Sequence, residues 1–425
     1  MLKNILPAFI LKIIENSFYC VGYMLLVPLF ILLIIFSICM RFFHKNNECI
    51  FIGLREICSN AIDSIAALRK KYEVISFFGF FLHTYQHDSR LYNIAKIPDF
   101  LSKSSTLKLI YTKTYLLCYF FYVSFKCDSF IYFWHDSFLP LNLDYFLFYL
   151  MKKKVIVWYC GSDIRYAPIH TELMKEFGFV SNYALNEKSS NIDFLKKFYR
   201  HKLAEKFCIM HATREKGTFL KKSAIFFRTP FKLPFLGKNK KTQLPVKVCH
   251  IPSDRINKNT NVVFEAVEIL KKKKVYFEFI FEECIPNARV KCILENSDIL
   301  IDYAGTIWGT LACEAMTFGC VVIGANEGHF EGLKSPPIVR FPLSAQRLAD
   351  VLERLIQSNK LRQYLMAKSL AYAQDELSEE RYLKRIVDAF AGKLEKNVQP
   401  LPEIKKLLLK HSENKFQYLI IKLLF

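Results

Sequence analysis

The stretch richest in potential chemistry runs from Asp298 to Gly324, Asp-Ile-Leu-Ile-Asp-Tyr-Ala-Gly-Thr-Ile-Trp-Gly-Thr-Leu-Ala-Cys-Glu-Ala-Met-Thr-Phe-Gly-Cys-Val-Val-Ile-Gly. The apolar strand Ile299–Asp302 leads through a glycine-containing loop into a helix from Gly309 to Phe318. Gly319 closes that helix, as glycine commonly does at C′. Gly309 lets the backbone approach a ligand without a Cβ. The amides near Gly309 and Thr310 stand at the positive end of the helix dipole, which suits a pyrophosphate. Glu314 follows about one turn later, and a carboxylate there can accept hydrogen bonds from both hydroxyls of a ribose. Set among Leu311, Ala312, Ala315 and Met316, this acid needs a partner unless it sits solvated on the helix surface.

Two other segments carry polar groups at strand ends. Val248-Cys-His-Ile-Pro-Ser-Asp-Arg-Ile-Asn-Lys-Asn-Thr260 precedes a helix, with Thr260 a candidate N-cap. Trp134-His135-Asp136 and Gly161-Ser-Asp-Ile-Arg165 each follow a strand. Asp163 and Arg165 either face a ligand or brace their loop by pairing with each other. His83-Thr-Tyr-Gln-His87 has metal-ligand spacing, but no Glu follows the first His and it is set aside. There is no phosphate-binding Gly-x-x-x-x-Gly-Lys-Ser/Thr loop, no Gly-x-Ser-x-Gly elbow and no Asp-x-Asp pair.

The elements that position these residues alternate strand and helix. Glu48–Arg55, Tyr72–Phe78, Ser129–Trp134 and Val155–Tyr159 read as strands, and Asn60–Lys71 and Leu143–Met151 as helices. A second run comprises strands Val246–His250, Phe277–Phe281, Ile299–Asp302 and Val321–Gly324, with a helix over Asn261–Lys271. Pro230, Pro234, Gly237 and Pro245 break the pattern between the runs. The organisation expected is a hydrophobic segment 1–45, an α/β domain 46–235, a linker 236–245, a second α/β domain 246–393 and a basic amphipathic tail 394–425. Two such domains face each other across a cleft. The tail either lies on an anionic surface or packs on the body.

With 425 residues, 52% hydrophobic and 23% charged, the chain is long enough for two cores and too apolar for disorder. The net charge of +21 is spread along the chain and accompanies no nucleic-acid-binding motif, so an anionic membrane face or a phosphorylated substrate fits better. The 13 Cys, irregularly spaced and never Cys-x-x-Cys, read as reduced thiols rather than a disulfide framework or zinc site. Residues 16–40 contain no charge. That exceeds a signal-peptide core of about 7–15 residues and reaches the roughly 20 needed to cross a bilayer. The segment either spans once or lies in the interface, bent at Pro28.

The Asp298–Gly324 stretch resembles the donor-binding segment of GT-B-fold glycosyltransferases, family 4-like, such as those of bacterial surface-polysaccharide synthesis. Gly309, Glu314-Ala315-Met316 and Gly319 match that family's pattern, and the resemblance extends over roughly residues 48–392. It implies an α/β GT-B fold of two Rossmann-like doubly wound domains, here with an N-terminal hydrophobic helix. It implies that Lys258, with Ser253 and Arg255, holds the donor phosphates, that Gly309 and Thr310 meet the pyrophosphate and that Glu314 places the ribose. Thr306 stands eight positions before Glu314, where the family often carries an acid near the donor sugar, and Asn259 stands where it has Gly. His135 corresponds to a histidine facing the donor sugar. Gly53, Asp163 and Arg165 fall on acceptor-side loops. The implied activity is retaining, metal-independent hexosyl transfer from a nucleoside diphosphate sugar, used as substrate with no cofactor, to a glycan or lipid-linked glycan at the cytoplasmic face of the plasma membrane. A nucleotide-sugar epimerase or hydrolase of the same fold, or a degenerate transferase acting as a membrane-bound assembly partner, are the rival readings. Thr306 and Asn259 keep the last one open.

Overall fold

Strands of three to six residues, mostly Val, Ile and Phe, are the shape of parallel sheets covered on both faces. The computed structural model describes residues 31–42, 48–56, 60–78, 105–134, 136–161, 163–169, 172, 191–212, 219–234, 244–256, 258–302, 309–324 and 334–424. Among them are a helix α1 (31–42), then β1 (Cys49–Gly53), α2 (Asn60–Leu68), β2 (Glu73–Phe77), α3 (Ser105–Lys126), β3 (Ser129–Phe133), α4 (Asp144–Leu150), β4 (Lys154–Tyr159), α5 (Asn191–Phe207) and β5 (Ile209–Ala212). The second run is β6 (Lys247–His250), α6 (Thr260–Lys272), β7 (Glu278–Phe281), α7 (Asn287–Glu295), β8 (Ile299–Ile301), α8 (Thr310–Thr317), β9 (Val321–Gly324), β10 (Ile338–Arg340), α9 (Ala345–Gln357) and α10 (Asn359–Glu376). Helices α11 (Glu379–Phe390), α12 (Ile404–Lys410) and α13 (Lys415–Leu424) end the chain.

The strands form two five-stranded parallel sheets, ordered β2-β1-β3-β4-β5 and β10-β9-β8-β6-β7. In each, the first strand of the run has its successors on opposite sides. The order therefore reverses between β1 and β3 in one sheet and between β6 and β8 in the other. Loops leaving adjacent strands at such a point diverge, and the crevice between them is where open α/β sheets bind ligands. Register fixes the pairs: Ile50 lies opposite Ser129, and Val248 opposite Ile299.

Gly53 ends β1 because nothing larger fits there. A Cβ would lie 2.4 Å from the Phe77 carbonyl oxygen, so the ends of β1 and β2 close only over a glycine. The amphipathic helix α11 leaves the second run and returns to the first. Its Tyr382, Ile386 and Ala389 are buried with Ile50, Ile52, Ile131 and Ile156. The tail packs on the body as well: Ile404, Leu408 and Ile421 join Tyr166, Phe194 and Phe219 in one apolar cluster. The Tyr166 hydroxyl meets the His411 carbonyl at 2.9 Å.

Helix α1 contributes Leu33 and Met40 to the core of the first unit and sets Phe36 against Phe121 of α3, ring centroids 4.9 Å apart. Among the described residues no helix is long and apolar enough to cross a membrane. Residues 1–30, with the first part of the uncharged stretch 16–40, lie outside the described residues, as do His83, His87 and most of the 236–245 linker. The described cysteines are free thiols, with the Cys49 and Cys127 sulfurs 3.2 Å apart.

Candidate functional site

The switch point of the second sheet gathers the charged groups. Lys258 leaves the loop after β6, and Asp302 immediately follows β8. The two meet with Nζ 2.5 Å from Oδ1, both buried. The other Asp302 oxygen accepts from the Gly309 amide at 3.1 Å, one residue before α8. Asp302 thereby ties the two loops of the crevice to each other. The Gly309 amide is thus occupied by a carboxylate, and Gly309 is extended (φ −100°), a conformation open to any residue. The first turn of α8 from Thr310 onward carries the helix's positive end.

The turn feeding Lys258 into place is built from backbone. The amides of Lys258, Asn259 and Thr260 donate to the carbonyls of Asp254, Ile256 and Arg255 at 3.1, 3.1 and 2.9 Å. Asn259 is the helix N-cap and is left-handed (φ 49°, ψ 47°). That explains the departure from glycine: Asn is among the few other residues that tolerate this region. Thr260, expected as the cap, is one residue inside the helix. Its hydroxyl lies 3.0 Å from His250 Nε2, and His250 Nδ1 lies 2.8 Å from the Ile301 carbonyl. A carbonyl only accepts, so Nδ1 carries the proton and Nε2 accepts from Thr260. Burial lowers the His250 pKa to about 4, aided by the Lys258 charge, and the ring stays neutral. Asn259→Val is expected to cost about 1–2 kcal/mol by thermal unfolding, while Asn259→Gly stays within about 0.5 kcal/mol of the parent. Equal losses in both variants would show that the backbone conformation does not set the residue.

Glu314 lies one turn into α8, buried, with Oε1 accepting from Asn287 Nδ2 of α7 at 2.8 Å. Burial pushes its pKa up to about 7. The Asn287 hydrogen bond and the Lys291 charge oppose this, while Asp63 and Asp302 add to it. Asp63 belongs to α2 of the first unit. Its own carboxyl is raised to about 6, chiefly by burial and against the charges of Lys291 and Lys232. Lys258, Asp302 and Glu314 thus form one electrostatic group at the carboxyl edge of the sheet, with a carboxylate of the first unit within its field. Asp302, Asn287, Lys291 and Asp63 were not singled out in sequence. Asp302 was legible as the acid ending a strand, but the others required knowing which helices face α8.

The remaining candidates separate. Ser253 and Arg255 are exposed, and Arg255 pairs with Glu283, Nη2 to Oε1 2.7 Å, over the Phe281 ring. In the first sheet, Asp163 accepts from the amides of Cys160 (3.1 Å) and Gly161 (2.7 Å) and so shapes its own loop. Arg165 bonds through its amide to the Gly161 carbonyl. Gly53 is buried at the strand end. The β1–β3 switch point carries instead Arg55, whose Nε lies 2.6 Å from Asp136 Oδ2 and whose guanidinium sits 5.8 Å from the Trp134 ring centroid. His135 and Thr306 lie outside the described residues.

No family model matches the sequence, and no curated protein matches it. Solved structures do match in shape. A glycosyltransferase from Rickettsia africae is 13% identical, covering 83% of this chain and 100% of its own, with a TM-score of 0.52. Anabaena HepE, solved in complex with UDP and glucose, is 12% identical over 81% of this chain and 99% of its own, with a TM-score of 0.48. SnogD, a glycosyltransferase from Streptomyces nogalater, is 12% identical over 80% and 99%, with a TM-score of 0.40. The Rickettsia likeness, together with the two parallel sheets, establishes the GT-B two-domain α/β fold.

Proposed function

We propose that this GT-B-fold chain is a glycosyltransferase that moves a hexose from a nucleoside diphosphate sugar to a glycan or lipid-linked glycan precursor at the cytoplasmic membrane face. The observation that carries the reading is the placement of Lys258 and Glu314. One buried cation and one buried carboxylate flank Asp302 at the switch point of a doubly wound sheet. Such a crevice suits a nucleotide. Lys258 and the first turn of α8 supply positive potential for a diphosphate, the charge that develops on the leaving group as the glycosidic bond breaks. Glu314 supplies the acceptor for ribose hydroxyls. Arg55, Trp134 and Asp136 at the other switch point line the acceptor side. That the Rickettsia africae protein of this fold is a glycosyltransferase agrees with this assignment. The family 4-like motif favours retention and a metal-independent reaction.

The test is thermal unfolding with a panel of nucleotides and nucleotide sugars. A nucleoside diphosphate at about 100 times its Kd stabilises the folded state by about 2.7 kcal/mol. We expect one base to do so in the parent protein, with the ligand-induced shift lost in Lys258→Ala and in Glu314→Ala. A folded sample that responds to no nucleotide overturns the proposal. Donor turnover that needs no acceptor assigns the site to an epimerase or hydrolase instead.

A further inference from the structure

Helix α1 turns one face inward, burying Leu33, Ser37 and Met40. Its opposite face carries Ile31, Ile35, Ile38 and Phe42, at the i, i+4, i+7, i+11 spacing of one stripe, and all four are exposed, Phe42 at 82%. A helix that packs one face and meets water on the other should be polar outside. This one is not. Helix α3 repeats the feature. Leu107, Ile110, Tyr122 and Phe125 are exposed along its outer side, while Phe120, Val123 and Ser124 are buried. The two helices are joined through Phe36, which contacts both Phe121 and Phe125. Together they present large side chains over a helix of 22 residues, about 33 Å long.

Charge identifies what this surface meets. Neither helix contains an acidic residue, and the charges they do carry are Arg41, Lys108, Lys113 and Lys126. Apolar side chains with basic residues between them are the composition of helices that lie in a bilayer interface and are drawn there by anionic headgroups. The uncharged sequence 16–40 also leads directly into this surface, since its last ten residues belong to α1.

We propose that α1 and α3 form a platform by which the first α/β unit lies on an anionic phospholipid bilayer, with Ile35, Ile110 and Phe125 in the interface and Lys108, Lys113 and Lys126 against the headgroups. The platform is independent of the transferase assignment.

The experiment is co-sedimentation of the full chain with vesicles of phosphatidylcholine alone or with phosphatidylglycerol added. Binding is expected on the anionic vesicles, at least about tenfold weaker on the neutral ones and weakened by salt. The double variant Ile110→Glu/Phe125→Glu is expected to lower anionic-vesicle binding at least about tenfold. Lys108→Glu/Lys113→Glu/Lys126→Glu should do the same, and Tyr276→Glu, exposed in the second unit, should leave binding unchanged. Thermal unfolding of each variant with and without nucleotide checks folding and the donor site separately. Three results overturn the platform: no binding by the parent protein, parent-like binding by both α3 variants, or a self-association that the variants abolish while vesicle binding persists. The second outcome would move membrane attachment to residues 1–30.

Discussion

Asp302→Ala is expected to destabilise the protein by about 3–5 kcal/mol, the range for breaking a buried ion pair from one side. The Lys258 and Asp302 side chains are 9% and 0% exposed, so the largely buried ammonium left behind loses this counter-ion. The Gly309 amide loses its acceptor as well. For a unit of this size each kcal/mol moves the melting temperature by about 2–4 °C, giving a fall of roughly 10 °C. Lys258→Met should cost less, because Asp302 keeps its hydrogen bond from the Gly309 amide. Asp302→Asn should fall between, since its side-chain oxygen still accepts from Gly309. Urea unfolding of the three variants checks the order. If Asp302→Ala unfolds within 1 kcal/mol of the parent, the pair does not join the two loops as described.

The second large effect is on pH dependence. The Glu314 carboxyl is raised from 4.5 to about 7, first by burial. Between those values the folded chain holds a proton that the unfolded chain has released. Stability from this group is therefore full below about pH 4.5 and lost as pH rises through about 7. At 1.36 kcal/mol for each pH unit the loss is about 3 kcal/mol. Glu314→Gln, which cannot ionise, is expected to remove most of that slope, leaving the smaller one from Asp63, whose carboxyl is raised to about 6. Nucleotide binding should run the other way. An ionised Glu314 is the better acceptor for ribose hydroxyls, so on the proposed function affinity rises through pH 7 in the parent and is weak and flat in Glu314→Gln. Denaturant melts and nucleotide titrations between pH 5 and 8 read both trends. A parent stability that climbs over that range would show that the carboxyl is ionised in the fold.

Most of the strands and the helices nearest the site were legible in sequence, because their signals are local. Runs such as Val155–Tyr159 and Val246–His250 are apolar without interruption, as strands covered on both faces must be, and α6 shows its inward residues at helical spacing. What escaped were elements whose signals are weak or non-local. Helix α3 is apolar on nearly every side, and α5, rich in Lys and Phe, has little amphipathic contrast, so periodicity does not announce them. Strand β10 has three residues. At the site, Lys258 and Glu314 were found because each sits at a fixed distance from a recognisable strand end. Asn287 and Lys291 reach Glu314 from α7, and Asp63 acts from α2, some 250 residues away in sequence. No spacing rule connects them, only the packing of the two units. Asn259 departed from the expected glycine in type but not in conformation, which is why residue identity alone overstated the difference.

The return of α11 to the first sheet bears on how the chain is made. Ile50, Ile52, Ile131 and Ile156 emerge from the ribosome early, yet the residues that cover them, Tyr382, Ile386 and Ala389, come near the end. The unit synthesised first is therefore completed last. At about 5–20 residues per second, the roughly 170 residues between Ala212, the end of its fifth strand, and Tyr382 take roughly ten to thirty-five seconds to make. During that time the part of this apolar sheet face that α2 does not cover waits exposed, a natural client for a chaperone that binds nascent chains. A chain cut before residue 379 would leave that face open permanently. Truncation at this point, which removes α11 together with α12 and α13, should thus drive the first unit into aggregates even though none of the three belongs to either sheet.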